Sequence, residues 1–155
     1  MDGYDPATYG DRFAPVYDDW YDGITDAATC AALLAELADL GHDAGGGPVL
    51  ELGVGTGRLA VPLSGLGVQV VGVDTSAAML SALTAKPGGE AVETVLGDMA
   101  DPPVGERSFA VVFVAYNTLF NLVEPADQQR CFASAARRLL LLQQAPHHLA
   151  RATLG

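Results

Sequence analysis

The chain has 155 residues, half of them apolar, and a formal charge of −11. That length and apolar content fit a single domain around one core and exclude a disordered chain. Lys86 and seven arginines against nineteen acids leave no basic surface for a polyanion, so a small-molecule partner is expected and nucleic acid is not. No apolar run approaches the ~18 residues of a membrane span, and MDGYDPATYGD lacks the basic and hydrophobic parts of a secretory signal, so a cytoplasmic protein is expected. There is no CxxC and His42, His147 and His148 are not spaced as ligands, so no metal site is expected.

In chain order, Tyr9, Phe13, Val16, Tyr17, Trp20 and Tyr21 fall at helical spacing, with Pro15 as a break between two short helices. Asp26 to Leu40 reads as a helix whose stripe of Cys30, Leu33, Leu34, Leu37 and Leu40 is expected inside, with Cys30 and Cys131 both buried thiols. After a GHDAGGG linker, strands are expected near 48–52, 68–73, 92–96 and 109–115. Helices should follow the first, second (Ser76 to Ala85) and fourth strands, the last over about Ala126 to Leu142 behind Glu124-Pro125. Pro102-Pro103 rules out a long helix after the third strand.

The most informative stretch is PVLELGVGTGRLAVP, Pro48 to Pro62. A strand runs into Gly53, Gly55 and Gly57, which can adopt backbone angles closed to other residues and let a ligand approach the main chain. The N–H groups of the following helix are expected to face that ligand and to suit an anionic group. Gly55 to Ala60 also satisfies GxGxxA, so a nicotinamide or flavin enzyme stays open on the glycines alone.

Glu51 stands two positions before the first glycine, and ELGVGTG resembles motif I of class I S-adenosylmethionine-dependent methyltransferases. Asp74, at the end of VQVVGV, is spaced for ribose hydroxyls, and it also fits as a cap of the next helix. Gly97-Asp98-Met99 resembles the family's adenine-binding turn, with Asp98 toward the amino group and Met99 against the ring; a solvated turn carboxylate is the plainer alternative. Tyr116, Asn117 and Asn121 follow the fourth strand, where the family places sulfonium and acceptor, although core and turn roles fit them equally. YGDRFAPVYDDWY resembles the family's N-terminal lid, making Tyr9 and Tyr17 candidate acceptor contacts as well as packing residues.

The resemblance covers roughly Tyr4 to Leu140 and is to the small-molecule type of this family. It implies methyl transfer from S-adenosylmethionine to a small acceptor, with Gly53, Gly55 and Gly57 on the methionine part, Asp74 on the ribose and no catalytic base assigned. The implied fold is a Rossmann-like α/β parallel sheet of order 3-2-1-4 with helices on both faces. Residues 1–142 would form the cofactor-binding domain, with lid and helices at 4–40 and the core at 48–142; 143–155 would be an irregular, non-family tail. That tail lacks the family's PGG turn and strands five to seven, so a truncated chain is expected, by premature stop, frameshift or mis-set gene boundary. Phe109 to Ala115 would then be an apolar sheet edge open to a second copy. A non-catalytic S-adenosylmethionine-binding fragment or regulatory subunit is the alternative, ahead of a nicotinamide-dependent oxidoreductase, for which no YxxxK is present.

Overall fold

The computed structural model describes residues 7–21, 26–40 and 47–139. Four parallel strands, β1 (Val49–Leu52), β2 (Val70–Asp74), β3 (Glu93–Leu96) and β4 (Val111–Val114), form one sheet in the order β3-β2-β1-β4. This is the expected order. Helices α1 (Ala7–Phe13) and α2 (Tyr17–Tyr21) flank Pro15, α3 (Ala27–Leu40) precedes β1, and α4 (Ala60–Gly65), α5 (Ala77–Thr84) and α6 (Pro125–Arg138) follow β1, β2 and β4. Short 3₁₀ turns at Gly89–Ala91 and Thr118–Asn121 complete the described elements.

Side chains alternate across the sheet and separate two apolar layers. Val49 and Val70 pack with Ala31, Ala38, Leu63 and Leu83 on the side of α3, α4 and α5. Leu50, Leu52, Val71 and Val73 pack with Phe109, Leu122 and Cys131 on the other, toward α6. The central strand β1 is buried throughout, whereas every residue of β4 is half-buried, as befits a strand at the sheet edge.

Two expectations are corrected, the packing face of α3 and the end of α6. Cys30 is exposed, as are Leu33, Leu37 and Leu40; α3 instead buries Ala31 and Ala38. AATCAALLAELADL is apolar on most of its circumference, so periodicity cannot fix which side packs, and alanines allow α3 the closer approach to α4. Cys131 is buried as expected. Helix α6 stops at Arg138 rather than Leu142, because Leu139 adopts an extended conformation and bridges Phe109 in parallel, with the Phe109 N–H donating to the Arg138 carbonyl at 2.7 Å. The start of the β4 edge is therefore covered by the chain itself. The expectations for His42, His147, His148 and the 143–155 tail lie outside the described residues.

Parallel pairing brings Leu52, Asp74, Leu96 and Val114 to one end of the sheet. The segments that leave those four residues meet there.

Candidate functional site

The floor of a cleft at that end is built by the turn after β1. Gly53 and Val54 donate N–H groups to the Val73 carbonyl at 2.8 and 3.0 Å, and Gly57 closes the turn onto the Val54 carbonyl at 3.0 Å. Gly53 and Gly55 line the cleft at φ 71° and 55°. A Cβ on Gly55 would meet nothing within 4 Å, so it would project into open space above the floor. Gly57 has φ 79° but lies behind the turn, where a Cβ would come within 2.7 Å of Leu83 Cγ. It serves packing on α5 and does not line the cleft.

Asp74 ties this turn to the end of β2. Its Oδ2 accepts from the Gly55 N–H at 2.8 Å and its Oδ1 from the Ser76 N–H at 2.9 Å, while the Ser76 hydroxyl caps α5 by accepting from Met79 N. Burial pushes the Asp74 carboxyl up, against the lowering pull of the Ser76, Gly55 and Thr75 N–H groups. The cap of α5 is therefore Ser76 and not Asp74, which holds the residue ahead of the helix and lines the cleft. Asp98 and Met99 line the wall beyond β3; Asp98 Oδ1 accepts from Ala100 N at 2.8 Å, and Met99 is buried with its sulfur near Gly53. Thr118, Asn121 and Leu122 close the β4 side. Asn117 is exposed and is not among the lining residues.

Glu51 lies just beneath the turn, 3 % exposed, facing a small pocket shared by Tyr17, Gly53, Gly55, Arg58, Tyr116 and Thr118. Burial, and secondarily the Asp74 charge, push its carboxyl up to about 8, with the Ala60 N–H pulling weakly the other way. Its Oε2 has no hydrogen-bond partner among the described residues.

The roof comes from the N-terminal helices. Asp11 Oδ1 accepts from the Ser76 hydroxyl and Asp18 Oδ1 from the buried Thr56 hydroxyl, both at 2.6 Å. Lys86 then bridges roof and floor, with Nζ 2.6 Å from Asp18 Oδ2 and donating to the Thr56 carbonyl at 2.8 Å. Burial opposes ionisation of Asp18, but the Lys86 and Thr56 hydrogen bonds and the Lys86 and Arg58 charges hold its carboxyl below the usual range. The Arg58 guanidinium lies 5.6 Å from the Tyr17 ring centre and 5.0 Å from that of Tyr116. Tyr116 stands at φ 54°, a conformation that costs a non-glycine residue about 1–2 kcal/mol. Gly10 and Tyr17 line the cleft from above, while the Tyr9 side chain is outside the described set.

One electrostatic expectation is overturned. The start of α4 offers no N–H to an anion: Ala60 donates to Glu51, Val61 to Gly57, Pro62 has none and Leu63 donates to Leu59. The cleft is instead lined by the carboxyls of Asp74 and Asp98, with Glu51 on the adjoining small pocket and Asp11 and Asp18 in the contacts that hold the roof. Such a site suits a ligand with a cationic centre and hydrogen-bond donors and disfavours a pyrophosphate. Sequence reasoning missed Asp11, Asp18, Thr56, Arg58 and Lys86. Lys86 carried a faint signal as the chain's one lysine, but its reach across thirty residues to Thr56 is a tertiary fact.

A parallel 3-2-1-4 sheet with a glycine turn after β1 and acids after β2 and β3 defines an α/β nucleoside-cofactor domain. Residues 49–140 match the methyltransferase domain family, and the chain belongs to it. It is 31% identical over 135 residues to the cypemycin N-terminal methyltransferase of a Streptomyces species, covering 87% of this chain and 53% of that protein. Among solved structures it is similar to the CcbJ methyltransferase of Streptomyces caelestis, at 43% identity and a TM-score of 0.77, covering 88% of this chain and 55% of that one. The glycopeptide N-methyltransferase MtfA, solved with S-adenosyl-L-methionine, aligns at 28% identity and a TM-score of 0.60, over 76% of this chain and 52% of its own. The chain therefore spans about half the length of these relatives. No helix among the described residues is long and apolar enough to cross a membrane.

Proposed function

We propose that this chain binds S-adenosylmethionine in the cleft and carries out methyl transfer to a small-molecule acceptor. The observation that carries the reading is the acid-lined glycine cradle: a Cβ at Gly55 would meet nothing within 4 Å, and a buried Glu51 oxygen beneath it has no donor among the described residues. Gly53 and Gly55 would hold the methionine part, Asp74 the ribose hydroxyls, and Asp98 and Met99 the adenine. The cofactor supplies an electrophilic methyl on a sulfonium that leaves as a neutral thioether. The chain's own contribution is positioning and exclusion of water, with Tyr17, Tyr116 and Asn121 on the acceptor side and Tyr9 and Asn117 as outlying candidates. No side chain is assigned as a base. One relative named above is an N-methyltransferase and another an N-terminal methyltransferase, which makes amines the first acceptor class to screen.

The domain would run over 1–142 and function in the cytoplasm, without nucleic-acid or membrane partners; a second copy pairing along Val111–Val114 is the homodimer this edge favours. Cofactor binding without turnover is the second reading, and it leaves the same cleft occupied without a product. Calorimetric titration with S-adenosylmethionine and with NAD tests the first step. The expected result is binding of the former alone, weakened at least tenfold in Asp74→Ala; NAD binding, or neither ligand binding a folded chain, would defeat it. Methylated product from an amine panel then separates turnover from binding.

A further inference from the structure

Of the five carboxyls in and around the cleft, four are matched to donors: Asp74 to two backbone N–H groups, Asp98 to one, Asp11 to the Ser76 hydroxyl, and Asp18 to Thr56 and Lys86. Glu51 is the exception. It is fully buried, receives one backbone N–H from Ala60 and turns an oxygen without a donor toward the pocket under the glycine turn. A buried carboxylate needs several donors or a cation to remain ionised.

Among the described residues only the Ala60 N–H is paired with Glu51, although Arg58 lines the same small pocket. Asp74 from β2 repels its charge, Asp98 beyond β3 lines the adjoining cleft, and Asp11 from α1 holds the Ser76 hydroxyl. Lys86 beyond α5 is spent on Asp18 of α2 and the Thr56 carbonyl. Arg58, which follows the glycine turn, is stacked on Tyr17 of α2 and Tyr116 beyond β4. We propose that Glu51 is a neutral carboxylic acid in the ligand-free protein and releases its proton to solvent when a cationic ligand enters the cleft, so that binding is coupled to proton release. The O–H bond of Glu51 breaks, the proton passes to buffer, and the carboxylate left behind is balanced by the sulfonium or ammonium charge. The raised acidity constant of Glu51 accords with this geometry. The inference rests on the binding function proposed above.

The coupling makes Glu51 a determinant of ligand charge. A neutral adenosyl ligand leaves the proton in place and gains nothing from the buried acid, whereas a cation exchanges for it.

The test is calorimetric titration of the full chain with S-adenosylmethionine at pH 7.0 in phosphate and in Tris, whose ionisation enthalpies differ widely. The expected result is an apparent enthalpy that differs between buffers by close to one released proton, and an affinity that rises by up to about tenfold from pH 6 to pH 7. Glu51→Gln should abolish the buffer difference and flatten that pH profile; titration of the ligand's own amine is common to both proteins and cancels in the comparison. Heat that is the same in both buffers, or a release that persists in Glu51→Gln, would overturn the coupling while leaving the binding function standing. No binding in any buffer would instead defeat the binding function. Should Glu51→Gln fail to fold, infrared difference spectra of the unaltered protein decide: a protonated-carboxyl band lost on adding ligand supports the proposal, and its absence overturns it.

Discussion

The floor and the roof of the cleft are built from different materials. The floor is main chain held to main chain, to the buried Glu51 and to the half-buried Asp74, with strand ends packed at 0–4 % exposure around Leu52, Val54 and Val73. The roof is two short helices tied down by side chains, Asp11 to Ser76 and Asp18 to Thr56 and Lys86, with Lys86 and Asp18 30 % and 46 % exposed. Changing the floor should therefore alter folding as well as binding, whereas changing the roof should alter binding far more than folding.

The largest expected effect is on the floor. In Gly53→Ala the new Cβ would sit 2.1 Å from Thr118 Cγ2 at φ 71°, so a loss of about 2–4 kcal/mol in urea unfolding is expected, with loss of ligand binding. Gly55→Ala separates the two consequences: with open space around its Cβ it should lose only ~1 kcal/mol, yet weaken ligand binding severely. A stability loss equal to that of Gly53→Ala would contradict the geometry.

Glu51 gives an effect of opposite sign. Its folded-state value, about 8 against 4.5, means that the folded chain holds a proton the unfolded chain releases between those values. Stability is therefore greatest near and below pH 4.5 as far as this group is concerned, falls as pH rises toward 8, and is level above it. Glu51→Gln should remove that decline and stabilise the ligand-free protein by on the order of 2 kcal/mol at pH 7, read by thermal unfolding across the pH range. A variant less stable than its parent at pH 7 would indicate that the carboxyl is ionised and paired.

The roof predicts smaller changes in folding. Asp18→Asn and Lys86→Ala should each shift stability by no more than about 1 kcal/mol, because the pair is partly exposed. Both should weaken ligand binding several-fold, and Asp18→Asn should be the milder if the Thr56 contact survives. The carboxyl of Asp18 is lowered, so its contribution is present above 3.8 and is lost as pH falls below that value. The smallest effect leaves the fold unchanged: Cys30 should react rapidly with a thiol reagent in the native protein and Cys131 slowly, since Cys131 is buried and its thiol pushed up by burial and by Asp98.

The same contrast governs what the sequence discloses. Strand order, the positive-φ glycines and the acids after β2 and β3 were legible because each is written in a local pattern that the backbone must obey. The phase of α3 was not, because a helix apolar on most sides has no preferred face until its neighbours are known; Ala31 and Ala38 are buried, Leu34 packs beside them, and Leu33, Leu37 and Leu40 are exposed. The roof was least legible. Asp11, Asp18 and Lys86 are ordinary charged residues in sequence, and only the fold places them against Ser76 and Thr56. The acid-rich character of the cleft was hidden for a related reason, since a glycine turn before a helix reads as an anion site until Pro62 and Glu51 are seen to consume the helix start.

The most direct test of the cleft is amide hydrogen exchange of the full chain with and without S-adenosylmethionine. Slowed exchange is expected at 53–57, 74–76 and 97–99 in the floor, and at 10–18 in the roof, with α3 and α6 unchanged. Binding without protection at 53–57 and 74–76, or protection concentrated on α3 or α6, would contradict the placement of the ligand at the carboxyl ends of β1 and β2.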